Sequence, residues 1–202
     1  MTDRIERGVA GRRETKKEAT RTELIAVAAR LFRERGFDQT SVVEIAAGAG
    51  VVERTFFRYF ANKEDVVFDT TSRDVEFFLG RLAELVPEAP DAWTAADRAL
   101  DELAVRLEPR RKELLDLMVV TASTPALMVR GRNMFSDWRE RAAELYRDTE
   151  PTMDELDAHL FATATVTIVE LGIRRWLQGP AKPPLRDRFA AVAARMRAVA
   201  AR

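Results

Sequence analysis

The chain has 202 residues, 33 Lys+Arg against 33 Asp+Glu, one histidine and no cysteine, and 47% of it is hydrophobic. This supplies enough apolar surface for a substantial core, and it excludes disulfides, thiolate metal centres, cysteine nucleophiles and a multi-histidine metal site within one subunit. The zero net charge hides an asymmetry: residues 1–63 carry 13 basic and 9 acidic side chains and the rest 20 and 24, the pattern of a basic module facing a polyanion and an acidic body. The first 21 residues hold no signal-type apolar stretch, and the longest charge-free run, residues 117–129, contains Pro125 and is too short for a bilayer. A cytoplasmic location without membrane contact is therefore expected.

Residues 1–14, with Arg4, Arg7, Arg12 and Arg13, lack apolar periodicity and read as a mobile arm, either tracking phosphates or merely solvated. The first helix is expected from Thr15, with Glu18 closing a capping box, to Arg35; Ile25, Ala28, Ala29 and Phe32, with Leu24 and Leu31 alongside, form its apolar stripe and Gly36 ends it. Residues 41–63, SVVEIAAGAGVVERTFFRYFANK, then read as two short helices about a tight turn. Ser41 and Glu44 make a second capping box, Val42, Ile45 and Ala46 point inward, and Gly48 or Gly50 supplies the positive φ that the turn needs. In the second short helix Phe56 and Phe60 share a face with Val52 beside them, while Arg54 and Arg58 lie opposite, flanked by Thr55 and Phe57. An ordinary helical corner has no need of an arginine pair opposite a phenylalanine pair. A short cationic helix of this kind fits a major groove about 12 Å wide.

Thr22, Ile25, Ala28, Ala29, Leu31, Phe32, Gly36, Thr40, Val42, Ile45, Ala46, the triplet Ala49-Gly50-Val51, Thr55, Phe56, Tyr59, Phe60 and Lys63 carry a family pattern. In them the chain resembles the N-terminal domain of TetR-type one-component transcriptional regulators. The resemblance implies a three-helix DNA-binding domain with a helix-turn-helix over residues 1–62. A helical ligand-binding and dimerisation domain would follow over residues 63–202, giving about nine helices in an all-α fold. It assigns DNA contact to Thr40, Ser41, Glu53, Arg54, Thr55, Phe57, Arg58, Tyr59 and Lys63, the last at a helix N-terminus where a phosphate would meet both free amides and an ammonium. Two positions depart from the family: Val52 replaces the serine that caps the recognition helix, and Phe57 replaces a frequent tyrosine. The run of residues 54–60 is also similar to a subgroup associated with acyl-coenzyme A-like ligands.

Asn62 is expected to cap a helix running from Lys63 to Leu85, long enough to link a DNA module to a distant body, before Pro87 and Pro90. Asp91 caps the next, with Trp93, Ala96, Leu100, Leu103 and Leu107; Pro109 opens another with Leu114 and Met118; and Pro125 opens one extending toward Thr149. Thr152 and Glu155 make a third capping box for a helix reaching Gln178, charge-free from Leu160 to Val169, and the last helix starts near Pro184. A helix apolar nearly all round needs cover on both sides, so a homodimer interface is expected at Ala162, Val166, Val169, Phe189, Val192 and Met196. Trp93, Met118, Met128, Met134, Phe135 and Trp138 are large apolar residues suited to a ligand pocket, although each also suits a core, and His159 faces either ligand or solvent.

No glycine-rich phosphate loop, paired-carboxylate motif or nucleophile with a base is present, so neither an enzyme, a cofactor nor a metal is expected. The functional expectation is a ligand-responsive transcriptional regulator, a repressor that binds a palindromic operator in double-stranded DNA as a homodimer. A small apolar or amphipathic effector, an acyl-CoA or another amphipathic acid, would release it. The alternative is a helical protein–protein interaction module that does not bind DNA.

Overall fold

The computed structural model describes residues 2–150 and 152–200, and their side chains from residue 15 to 150 and from 152 to 199. Among the described residues there are nine α-helices, two short 3-10 turns and no strand, the all-α class expected. The helices are α1 (Thr2–Arg35), α2 (Val42–Gly48), α3 (Glu53–Phe57), α4 (Lys63–Leu85), α5 (Ala92–Leu107), α6 (Arg111–Ser123), α7 (Pro125–Thr149), α8 (Glu155–Gln178) and α9 (Leu185–Ala200).

The chain packs as two compact units, one made of residues up to Thr70 with Asp116–Leu127, the other of Thr71–Leu115 with the chain from Met128 onward. Helix α4 thus begins in the first unit and continues in the second. The first unit is centred on Leu24, Val27, Ala28, Leu31 and Phe32 of α1, Ile45 and Ala46 of α2, Phe56 and Phe60, and Val66 and Val67 of α4, all buried. Of the expected stripe, Ala28 and Phe32 with Leu24 and Leu31 are buried, whereas Ile25 and Ala29 are only half-buried and Val27, packed against Gly48 of α2, is buried in addition. Helix α1 also starts earlier than expected. Its backbone is helical from Thr2, so Thr15 lies inside the helix; residues 2–14 contain no proline and several good helix formers, and need no apolar stripe to continue a helix. The side chains of Arg4, Arg7, Arg12 and Arg13 lie outside the described residues.

In the second unit α5 presents Ala95, Ala96, Ala99, Leu100, Leu103 and Leu107 to the interior. Ion pairs tie α4 to its neighbours: Arg106 and Arg110 meet the nearly buried Asp74 at 2.7 and 3.1 Å, Arg81 meets Glu102 at 2.5 Å, and Arg141 meets Glu76 at 2.7 Å. The carbonyls left over at the end of α8 are satisfied by Arg111, which donates to Trp176, Leu177 and Gly179 at 2.8–3.2 Å. Helix α8 starts two residues later than its expected capping box: Asp154, not Thr152, is the cap, accepting from the Asp157 amide at 2.8 Å. Its 24 residues are long and apolar enough to cross a membrane, and they pack on α9. At Gly172 the two helices approach closely; a Cβ there would lie 2.4 Å from the Phe189 ring.

Candidate nucleic-acid interface

Helix α2 is held by the capping box read from the sequence. The Ser41 hydroxyl accepts from the Glu44 amide at 3.2 Å and the Glu44 carboxylate accepts from the Ser41 amide at 2.9 Å. These bonds, with Arg35 at 2.7 Å, hold the Glu44 carboxyl below its ordinary pKa, the Ser41 amide contributing most. The turn that follows needs two glycines for two different reasons. Gly50 has φ +67°, the left-handed region that favours glycine, whereas Gly48 is helical but so close to α1 that a Cβ would lie 2.7 Å from Val27.

Helix α3 is only five residues long, and its N-cap, Val52, makes no side-chain capping bond, as the departure from the family pattern implied. It is positioned by packing. Phe56 is fully buried and Phe60 almost so, their ring centroids 5.4 Å apart, and the Arg21 guanidinium lies 5.1 Å above the Phe60 ring. Arg21 also forms a two-pronged ion pair with Asp69, which ties α1 to α4 beneath the short helix. Val52 does not join the phenylalanine pair. It is 69% exposed, because its extended backbone (ψ 156°) takes it off the helical wheel on which it had been placed.

Arg54 and Arg58 project outward on the face away from Phe56 and Phe60. Phe57 is half exposed beside them, and with Val52 and Thr55 these residues outline a shallow groove. The Arg58 guanidinium lies over the Tyr59 ring and its Nη2 approaches the Tyr59 hydroxyl at 3.3 Å. Glu53, in the first turn, shares the exposed surface. A side-chain set of two guanidiniums, a carboxylate, a hydroxyl and an aromatic ring on one short helix can read both base edges and phosphates.

Two residues expected at this surface are committed elsewhere. Thr40 is 2% exposed and its hydroxyl donates to the Gly36 carbonyl at 2.9 Å, so it closes the loop after α1 instead of facing outward. The Lys63 ammonium donates to the carbonyls of Phe37 and Thr40 at 2.7 and 2.9 Å and sits 4.1 Å from the Phe37 ring centroid. It tethers that loop rather than presenting a free cation. At the same helix start, Asn62 caps the Asp65 amide at 2.8 Å, and Asp65 accepts from the Ala61 and Asn62 amides. Thr40 bonds a carbonyl only four residues back, whereas the role of Lys63 depends on contacts 23 and 26 residues away that the local sequence does not show. Arg21 was missed for the same reason: 48 residues separate it from Asp69.

The six residues expected at a ligand pocket do not form one group. Phe78, Phe135 and Trp138 make one aromatic cluster, with Trp138 stacked on Phe135 at 5.8 Å and edge-on to Phe78. Trp93 belongs to another, against Phe161 at 4.3 Å and beneath Arg197 at 4.7 Å. Met134 is half-buried, Met128 is 42% exposed, and Met118 lies in the first packing unit. His159 faces outward, bonded through Nδ1 to the Glu155 carbonyl and paired with Glu140 at 3.4 Å. The expected dimer residues need a larger correction. Ala162, Val166, Val169 and Phe189 are 0–1% exposed within the chain's own core and are unavailable to a second copy, whereas Val192 and Met196 are half-buried. The pattern of α8 is two-sided, and the wrong side had been chosen.

An all-helical chain whose N-terminal part forms a helix-turn-helix, its second short helix outward, has the arrangement of helix-turn-helix DNA-binding domains. Comparisons with known proteins narrow this. Residues 24–70 match the profile of the bacterial regulatory proteins of the tetR family. The transcriptional regulator TcmR of Streptomyces glaucescens is 34% identical over 124 residues, 58% of this chain and 54% of that protein. The repressor KstR2 of Rhodococcus jostii is 34% identical over 76 residues, 38% and 37% of the two chains. The aligned segments thus span about half, or less, of these curated relatives. Among solved structures, a regulator from Syntrophomonas wolfei is similar with a TM-score of 0.66 and 16% identity, over 92% of this chain and 96% of that one. FadR of Thermus thermophilus, solved with lauroyl-CoA, has a TM-score of 0.59 and 22% identity over 87% and 92%. Over residues 24–70, then, the chain carries the N-terminal domain of the bacterial regulatory proteins of the tetR family.

Proposed function

We propose that this chain is a ligand-responsive repressor that binds a palindromic operator in duplex DNA as a homodimer, with its DNA-reading domain in residues 1–62 and its effector and dimerisation domain in residues 63–202. The observation that carries this reading is the placement of Arg54 and Arg58 on the outward face of α3, opposite the buried Phe56 and Phe60. One helix of five residues touches few base pairs, so useful specificity requires two copies whose contacts add and whose symmetry the operator repeats. Ser41, Glu53, Thr55, Phe57 and Tyr59 complete the contact surface; the Lys63 backbone amide, at the start of α4, is the part of that residue left for a phosphate.

The effector in this reading is apolar or amphipathic, an acyl-CoA or another amphipathic acid, bound near the Phe78, Phe135 and Trp138 cluster. What supports it is a buried aromatic cluster whose Trp138 indole nitrogen lacks a hydrogen-bond partner, and the lauroyl-CoA held by FadR, a protein of similar fold. Binding that favours one arrangement of α4, the helix shared by both packing units, would alter the spacing of the two reading heads. A coupling of about 1–3 kcal/mol would lower operator affinity about 5- to 150-fold.

Selection of bound sequences from a random duplex pool tests the reading. The expected result is an inverted repeat with half-sites a whole number of helical turns apart, about 34 Å each. Absence of any enriched sequence would overturn it, and capture of a protein partner by the α3 face in its place would favour the helical interaction module.

A further inference from the structure

Helix α3 shows solvent an apolar surface as well as a cationic one. Val52 and Phe57 are 69% and 50% exposed, and they share the shallow outward groove with Arg54, Thr55 and Arg58. Val52 stands in extended conformation at the entry of the helix, where a serine would cap the free amides instead. A five-residue helix that forgoes its cap and holds a valine in water is weakened on both counts, and a contact made only in a complex offsets both. The Phe57 ring packs edge-on against the buried Phe56, with centroids 5.5 Å apart, and is thus held in place without being covered. The two guanidiniums of the groove also differ. Arg58 lies over the Tyr59 ring and donates to its hydroxyl, whereas Arg54 has no hydrogen bond or ion pair among the described residues. Phe57 follows Arg54 by three residues, so the two are neighbours on the helix surface.

We infer that each half of the operator carries thymine beside a G·C pair, with Arg54 forked onto the guanine and Val52 and Phe57 covering the 5-methyl groups of the adjacent thymines. This rests on the DNA-reading function proposed above and names the bases that it selects. Among the base edges of the major groove, the thymine methyl is the one apolar group, and it is what an exposed valine and an exposed ring can bury. Guanine shows two acceptors there, N7 and O6, at the spacing of two N–H donors of one guanidinium, and a guanidinium without an internal partner loses nothing in turning to them. A cytosine or a purine in the place of either thymine would press polar atoms against the Val52 and Phe57 carbons and strip them of water without returning a hydrogen bond. Selectivity thus has an attractive part and a repulsive part.

Single-atom changes in the DNA test this with the full chain. A duplex taken from random-pool selection is compared, by fluorescence anisotropy, with the same duplex carrying deoxyuridine for the half-site thymines, which deletes only the 5-methyl, and with one carrying 7-deazaguanine for guanine, which deletes the N7 acceptor. Each change, made in both half-sites, should weaken binding at least about fivefold. In the variant Val52→Ser with Phe57→Ala the deoxyuridine penalty should fall below about twofold while the deazaguanine penalty remains, and in Arg54→Ala the reverse should hold. Each penalty is a ratio within one variant, so a general loss of affinity cancels. Should the double variant unfold, Val52→Ser alone decides, because it gives α3 a cap and should still lower the deoxyuridine penalty at least about twofold. Selected half-sites without thymine beside guanine, equal affinity for the thymine and uracil duplexes, or a deoxyuridine penalty unchanged in the Val52 and Phe57 variants would overturn the methyl reading and leave DNA binding standing. If no sequence is enriched at all, the DNA-reading function itself fails, and the base assignment with it.

Discussion

Gly172 and Gly80 offer the same substitution with opposite expected signs. Both are interior to helices, Gly172 in α8 and Gly80 in α4, and replacing a helical glycine by alanine ordinarily adds about 0.5–1 kcal/mol of stability. At Gly80 a Cβ meets nothing within 4 Å, so that gain should appear unopposed. At Gly172 a Cβ would lie 2.4 and 2.8 Å from two atoms of the Phe189 ring, well inside contact distance. Phe189 is 1% exposed and has little room to move, so α8 and α9 must separate. Overpacking of this kind costs about 1–3 kcal/mol, and in so tight a place the upper part of that range outweighs the helical gain. Gly172→Ala should therefore be destabilised by about 1–2 kcal/mol, a fall in Tm of about 2–8 °C for a chain of this size, whereas Gly80→Ala should rise by about 1–4 °C. Thermal unfolding followed by circular dichroism reads both. Shifts in the same direction would refute the assignment of the Gly172 side of α8 to the interior.

Other consequences follow from single contacts. Arg54→Ala or Arg58→Ala should weaken binding to a selected operator at least about tenfold and reduce the salt dependence of log K by about 1–2, since a dimer loses two contacts; gel shifts at several salt concentrations, with unchanged helicity, check this. Thr165→Val should cost about 1–3 kcal/mol in urea unfolding, because the fully buried Tyr146 hydroxyl loses the Thr165 oxygen 3.2 Å away, and adding Tyr146→Phe should recover most of the loss. His159 should titrate above 6.5 by NMR, its bond to the Glu155 carbonyl being the main cause and Glu140 a lesser one. Because the folded value is raised, its stabilising contribution is fully present below about 6.5 and is lost as pH rises through the folded midpoint; Glu140→Gln should lower that midpoint.

Most of what could be read from the sequence depends on neighbours along the chain, although the boxes expected at Thr15 and Thr152 did not become helix caps. The Ser41–Glu44 capping box, the Asp91 cap, the uncapped Val52, the end of α1 at Gly36 and the positive φ at Gly50 are settled within a few residues, and each stands in the structure as its local chemistry required. What escaped depends on distant partners. Lys63 carries a side chain suited to an anion, yet its hydrogen bonds to the Phe37 and Thr40 carbonyls, 26 and 23 residues away, tether the loop between α1 and α2. Helix α8 shows the same limit in another form. Its composition revealed that it needed cover all round, but the wheel alone could not say which side α9 takes. The signal that resolves it is the spacing of Leu156, Leu160 and Leu171 together with Gly172, whose missing Cβ marks the close approach to Phe189.

The central claim, that the α3 face reads duplex DNA, is tested most directly by fluorescence anisotropy of the full chain titrated onto a labelled duplex at about 50 and about 200 mM salt. Several phosphate contacts per dimer predict tight binding at the lower concentration and a loss of at least about a hundredfold at the higher. No binding at low salt, or equal affinity at both, would contradict the claim.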